Sequence, residues 1–135
     1  MSDSFIDTNI VIYSLSRDVV KQNIAITLLA QSPATSVQVL SETANVMRRK
    51  LGFDAPSTET VIDRIAFECS RIQPLTITTL RYGLDLSKRY GFSHYDSLIV
   101  ASAMEAGCIE LYSEDMHNGL VVDQQLTIIN PFPQK

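Results

Sequence analysis

The sequence predicts an α/β fold, a short and mainly parallel sheet with helices on both faces, and three observations lead to it. Short apolar or β-branched runs (Ser4–Ile6, Ala34–Val37, Ile72–Ile77, Ile109–Tyr112, Leu126–Ile129) alternate with longer stretches of helical period, and strands joined through helices run parallel. Acids follow two of these runs, Asp7 after the first and Asp115 after the fourth, and open α/β sheets collect ligands outside the carboxyl ends of their strands. Finally, 45% of residues are hydrophobic against 19% charged, and no low-complexity or Pro/Ser-rich linker divides the chain, so residues 1–135 read as one compact domain.

Each element has its own signal. Ser4-Phe5-Ile6 is long enough only for a brief buried strand, and Thr8 is placed to cap a helix from Asn9 to Leu15. Asp7, displayed at that junction, has two readings: a helix cap, or the first ligand of a metal site. Val19-Val20 and Ile24, Ala25, Leu28 and Leu29 recur at helical spacing until Gln31-Ser32-Pro33. A third helix runs from Ser36 or Val37 to about Lys50, with Gly52 at its end. Its apolar stripes are Leu40, Ala44, Met47, Leu51 and Val39, Glu42, Val46, so Glu42 interrupts an apolar face. Asp54 to Ser57 reads as a turn, and Ser57-Thr58-Glu59 opens a helix toward Cys69. Pro74 gives the third strand an edge position or an irregular start. Thr78 or Thr79 opens a helix that ends near Tyr90-Gly91. Ser93 begins another whose body, Leu98 to Met104, is apolar and small enough to be buried on most sides, and Gly107 stops it. Ser113 to Gly119 is a polar loop.

Composition narrows the function. Fifteen acids against eleven bases give a net charge of -4, which excludes a protein that coats nucleic acid by bulk electrostatics but leaves local basic patches able to grip a phosphate backbone. Cys69 and Cys108 form no Cys-x-x-Cys pair and no zinc cluster, and suit a reducing cytosol. Met1 to Ser4 carry no basic stretch ahead of an apolar run, and no apolar run reaches membrane-spanning length. The expectation is a cytoplasmic protein without a membrane partner.

The acids carry the chemistry. Asp96 sits in the first turn of the apolar helix, with Ile99, Val100 and Ala103 on the same stripe, so its carboxylate needs a partner. Ser93 to Asp96 also fits a capping box in its Asp form. By itself, Asp115 is a loop acid. Yet a doubly wound sheet can bring Asp7, Glu42, Asp96 and Asp115 together. Like charges about 4 Å apart repel by roughly 4 kcal/mol at an effective dielectric of about 20, so such a cluster calls for a cation. Hard oxygen ligands without His or Cys favour Mg²⁺ or Mn²⁺, and the chemistry that follows is metal-assisted hydrolysis of a phosphodiester. Arg48-Arg49-Lys50 either complements the carbonyl end of the third helix or clamps a phosphate backbone, with Arg81, Lys88 and Arg89 as an extension. His94 and His117 have neither metal-pair spacing nor a nucleophile to activate. Tyr82, Tyr90, Phe92 and Tyr95 read as core or interface residues before base-stacking platforms.

Four segments together resemble the PIN-domain ribonucleases, and within them the VapC-type toxins of bacterial toxin–antitoxin pairs: Phe5-Ile6-Asp7-Thr8-Asn9, Ser36 to Glu42, Tyr95 to Ala101, and Leu111 to Met116. The resemblance spans nearly the whole chain. It implies a PIN-like three-layer α/β/α fold and a Mg²⁺- or Mn²⁺-dependent endoribonuclease. Asp7, Glu42, Asp96 and Asp115 match the family's acidic positions, and Thr8 and Ser113 its hydroxyl positions, with Asn9 beside them in a supporting place. Ser113 stands where Thr is more usual, which keeps the hydroxyl. Glu114, adjacent to Asp115, can share or replace its role. The resemblance also implies an RNA substrate, a small cognate antitoxin over the active-site groove, self-association as a homodimer, and DNA contact only through the antitoxin. A receiver-like phosphorylation switch is disfavoured because no Lys occurs between Lys88 and Lys135. A catalytically silent PIN-like module that binds RNA or protein is the remaining rival.

Overall fold

The computed structural model describes residues 3–134. Met1 and Ser2, read above as part of a start without a secretory leader, and Lys135 lie outside the described residues. The elements are β1 (Ser4–Ile6), α1 (Thr8–Ser14), α2 (Val19–Leu29), β2 (Ala34–Ser36), α3 (Val37–Arg49), α4 (Ala55–Glu68), β3 (Arg71–Gln73), α5 (Ile77–Tyr90), α6 (His94–Glu105), β4 (Glu110–Tyr112), β5 (Val121–Val122) and β6 (Leu126–Ile129). The sheet order is β3-β2-β1-β4-β6-β5, parallel throughout except for β5 against β6. Helices cover both faces: α5 packs on α6, while α1 packs on α2 and α3, and α3 on α4.

This order places a topological switch point between β1 and β4. From β1 the chain winds outward through β2 to β3, then crosses back by α5 and α6 to β4 on the other side of β1. There Phe5 stands opposite Leu111 and Ile6 opposite Tyr112, and the Asp7 amide donates to the Tyr112 carbonyl (3.0 Å). A crevice opens where crossovers leave in opposite directions, so the segments after β1 and β4 are the ones that can share a ligand.

The core explains why such short strands hold. Phe5, Ile6, Leu111 and Ile128 are fully buried in the sheet, and α6 buries every residue from Ser97 to Ala103. Burying each large apolar side chain contributes about 1.5–3 kcal/mol. Gly83 lets α5 approach α6 closely, since a Cβ there would lie 2.9 Å from Leu98 Cδ2. Ile10 and Val11 are buried on α1, whereas Val19, Val20 and Ile26 on α2 and Phe67 on α4 are exposed, Phe67 by 89%. Among the described residues no helix is long and apolar enough to cross a membrane.

Several boundaries differ from the sequence reading. α1 begins at Thr8, and Asp7 caps it, the first of its two readings, with Oδ1 accepting from the Thr8 amide out of extended backbone. Asp54 to Ser57 is not a turn: Asp54 caps α4, and Pro56 falls in the first helical turn, where its missing N–H costs nothing. β3 stops at Gln73 ahead of Pro74 and occupies the edge, and Thr76, paired with Thr79 in a capping box, starts α5 earlier than Thr78. Leu51 lies beyond the end of α3 and is exposed instead of continuing its apolar stripe. The β5–β6 hairpin was not anticipated, since its turn places Asp123 (φ 49°) and Gln124 (φ 57°) in left-handed backbone without the usual glycine.

Candidate active site

The expected acids meet at the switch point. A cavity of about 480 Å³ is lined by Asp7 from the end of β1, Glu42 from α3, Asp96 from the first turn of α6 and Asp115 from the loop after β4. Thr8, Asn9 and Asn45 add polar groups, and Ile12, Val46 and Ile99 an apolar wall. Each carboxylate arrives by a local rule. Asp7 is displayed as a cap, Glu42 by the helical face of α3, Asp96 by the turn that Ser93 caps (Asp96 N to Ser93 Oγ, 3.3 Å), and Asp115 by a loop whose amide donates to Ser113 Oγ (3.3 Å).

Every one of these carboxylates for which a hydrogen bond is seen is held by neutral donors. Asp7, 4% exposed, accepts from the Thr8 amide (2.6 Å) and from Ser113 Oγ (2.8 Å). Glu42 accepts from the Thr8 hydroxyl (2.8 Å) and from Gln38 Nε2 (3.2 Å). Asp115 accepts from Asn9 Nδ2 (3.2 Å), while Asn9 Oδ1 accepts from the Glu114 amide (3.1 Å). Among the described residues none of the four acids is in an ion pair, and no Lys or Arg lines the cavity. The charge is felt locally. Burial, followed by the nearby Asp96 and Glu42 carboxylates, pushes the Asp7 carboxyl up to about 6 against the hydrogen bonds from Ser113 and Thr8. Burial, followed by Asp115 and Glu42, likewise raises Asp96 against its hydrogen bond with Ser93.

Glu114 behaves differently. Its carboxylate turns away from the cavity to Lys21 Nζ (2.7 Å) and the Tyr13 hydroxyl (2.6 Å). Burial works to raise it, but Lys21 and Tyr13 prevail and hold it below the usual carboxylate range. Glu114 therefore ties the Ser113–Asp115 loop to α1 and α2, and Asp115 is the residue that faces the acids. Arg48, Arg49 and Lys50 lie exposed at the carbonyl end of α3, and none lines the cavity. Arg89 is engaged by Asp85 and Asp123. Gln38 and Asn45 were missed by the sequence reading. The available signal was helical spacing, four residues before and three after Glu42 on one helix face.

The donor set fits a divalent cation of the Mg²⁺ kind: all oxygen, uncompensated by any basic side chain, and with two carboxyls raised partly by their neighbours' charge. Among the described residues no three Asp, Glu, His or Cys side chains stand close enough to grip one ion together. The acids thus share a cavity without forming a closed ligand shell, an arrangement suited to an ion completed by water and substrate phosphate.

Residues 4–117 match the model of the PIN domain, and the chain belongs to the PIN-domain family. Solved structures share the fold at low identity. A toxin–antitoxin complex from Klebsiella pneumoniae matches with a TM-score of 0.69 at 18% identity, over 96% of this chain and 98% of that one. VapC20 of Mycobacterium tuberculosis, described as a toxin that cleaves the sarcin–ricin loop, matches with a TM-score of 0.64 at 20% identity, over 80% of this chain and 86% of that one. VapBC2 of Rickettsia felis, bound to a DNA fragment from its promoter, matches with a TM-score of 0.60 at 21% identity, over 83% and 87%. No curated protein matches the chain in sequence.

Proposed function

We propose that residues 1–135 form one PIN nuclease domain that hydrolyses RNA phosphodiester bonds with a divalent ion, Mg²⁺ or Mn²⁺, and that it is the toxin of a toxin–antitoxin pair acting in the cytoplasm. The observation that carries this reading is the contrast between acids. Glu114, Asp85, Glu68 and Asp123 are each paired with Lys or Arg, whereas the four that line the cavity at the switch point are left with their charge. Asp7 is buried, Glu42 and Asp96 are half-buried and Asp115 is exposed, and gathering these like charges around one cavity is a cost that a bound cation would offset.

Asp7, Glu42, Asp96 and Asp115 line the cavity in which the ion would sit, held by some of them directly and by others through its waters, and Thr8, Asn9 and Ser113 keep three of them oriented. When bound, the ion supplies a more acidic water and neutralises charge developing on the phosphate. Asp96 is half-buried at the first turn of α6, where it faces Glu42 and Asp115 across the cavity, while the buried Asp7 anchors the site. Arg48, Arg49 and Lys50 lie outside the cavity and are assigned a weaker role in gripping the RNA backbone.

The toxin reading draws on the similar solved structures, which include a toxin–antitoxin complex and a sarcin–ricin loop cleaving toxin. By analogy, a small antitoxin covers the groove and places a basic side chain among the acids, the chain self-associates as a homodimer, and DNA is contacted only through the antitoxin. The rival, a catalytically silent module, takes support from the open spacing of the acids. Purified protein on RNA with Mg²⁺ or Mn²⁺ separates the two. Cleavage is expected with metal, and Asp7→Asn or Asp96→Asn should lower it by at least about a hundredfold with the fold intact. Equal cleavage in excess chelator would overturn the metal mechanism, and no cleavage under any condition would favour the silent module.

A further inference from the structure

We infer that Gln38 is a positioning residue that sets the distance between Glu42 and Asp96, an inference that rests on the nuclease reading above. Gln38 lies in the first turn of α3 and is 9% exposed. Its Nε2 donates to Glu42 Oε1 (3.2 Å) and to the carbonyl of Tyr95 (3.1 Å), the residue before Asp96. One amide nitrogen thus bridges the helix that carries Glu42 and the turn that carries Asp96. The opposite amide orientation would set an oxygen against a carboxylate and a carbonyl, so chemistry fixes which end faces them.

The other end of Gln38 shows what this bridge costs. Oε1 is buried and, among the described residues, has no hydrogen-bond partner. An amide also suits the position better than Lys or Arg, because it orients Glu42 without neutralising it and leaves the charge for a cation. Together with the Thr8 hydroxyl on Oε2, Gln38 occupies both Glu42 oxygens with neutral donors. Partners of this kind around metal-binding side chains typically change metal affinity by 10- to 100-fold when lost.

The test is Mn²⁺ binding to the full chain, measured by electron paramagnetic resonance and calorimetry, with melting curves to report the fold. Gln38→Met, which keeps the length and removes the donor, is expected to weaken Mn²⁺ binding about tenfold and to raise the metal concentration for half-maximal RNA cleavage by the same factor. At saturating Mn²⁺ its rate should return toward that of the wild type. In the Glu42→Gln background, Gln38→Met should add little, because both changes remove one interaction. Unchanged Mn²⁺ affinity in Gln38→Met, or an effect of full size in the Glu42→Gln background, would overturn the inference. Gln38→Glu, of equal size but with an acceptor in place of the donor, is expected to weaken Mn²⁺ binding as well. If both variants lose their melting transition, Gln38 is a folding residue and the positioning role falls. Wild-type protein that binds Mn²⁺ but cuts no RNA would remove the nuclease reading alone, whereas wild-type protein that binds no Mn²⁺ would remove both.

Discussion

Asp7 serves two ends that pull against each other. It caps α1 and accepts from Ser113, which favours the fold, yet its charge is buried beside Asp96 and Glu42, which does not. Its carboxyl titrates at about 6 in the folded chain against 3.8 for the ordinary side chain. Below pH 4 both folded and unfolded chains hold the proton and Asp7 imposes no penalty. As pH rises from about 4 to about 6, the unfolded chain gives up its proton first, so stability falls through that window, by about 3 kcal/mol in total. Asp7→Asn keeps an oxygen for the Thr8 amide and carries no charge. In chelator at pH 7 it is expected to melt several degrees above the wild type, with the gap closing toward pH 4, while RNA cleavage is lost. Melting at neutral pH no higher than the wild type would show that the Asp7 charge is compensated in the metal-free fold.

At the scale of elements, the site depends on how closely α5 and α6 approach, because α6 presents Asp96. Gly83 sits at that approach, facing Leu98 Cδ2 at 2.9 Å and Ser97 Oγ at 3.4 Å from where a Cβ would be. Gly83→Ala adds helix propensity of about 1 kcal/mol and meets only the end of a leucine side chain, so it is expected to be near neutral. Gly83→Val presses a branched side chain into α6 and is expected to cost about 1–3 kcal/mol in urea denaturation and to reduce cleavage as Asp96 shifts. Equal stability of the two variants would mean that the helices have room to separate.

Elements were legible in the sequence where the signal is local. Ser93 as a cap, Ser36 or Val37 as the start of α3, Gly91 and Gly107 as stops, and the apolar body of α6 are all read from neighbouring residues. What escaped depends on distant partners. The left-handed Asp123 is held by Arg89, Tyr82 and Tyr90 of α5, and its carboxyl is kept well below the usual range chiefly by Arg89. Nothing in Val121-Val122-Asp123-Gln124 announces that anchor. The same limit applied at the site. Asp7, Glu42, Asp96 and Asp115 stood out as acids at strand ends or on apolar faces, but Glu114 is separated from Asp115 by its contacts with Lys21 of α2 and Tyr13 of α1, which spacing does not reveal.

For the whole molecule, the balance of charge decides what can enter the cavity. The chain carries a net charge of -4 and concentrates uncompensated acids at one point, so a polyanion such as the proposed RNA substrate would approach against repulsion that a bound cation would relieve. A cation that binds only the folded state also stabilises it, and Mg²⁺ or Mn²⁺ is expected to raise the melting temperature with increasing concentration. An unchanged melting curve across the titration, with no heat of binding by calorimetry, would count against the acids as a cation site. The same charge would suit a basic partner. On the proposed toxin reading, a partner's basic side chain placed among the acids would replace the cation, and the exposed Val19, Val20 and Ile26 on α2 and Phe67 on α4 would be available to its apolar residues. Inhibition and protection from toxicity would then be one event. Expressing the chain with and without the small open reading frame beside it tests this directly. Growth is expected to fail with the chain alone and to recover when the neighbouring product is present and co-purifies. Harmless expression alone, with nothing co-purifying, would overturn the toxin assignment and leave the metal-dependent nuclease standing.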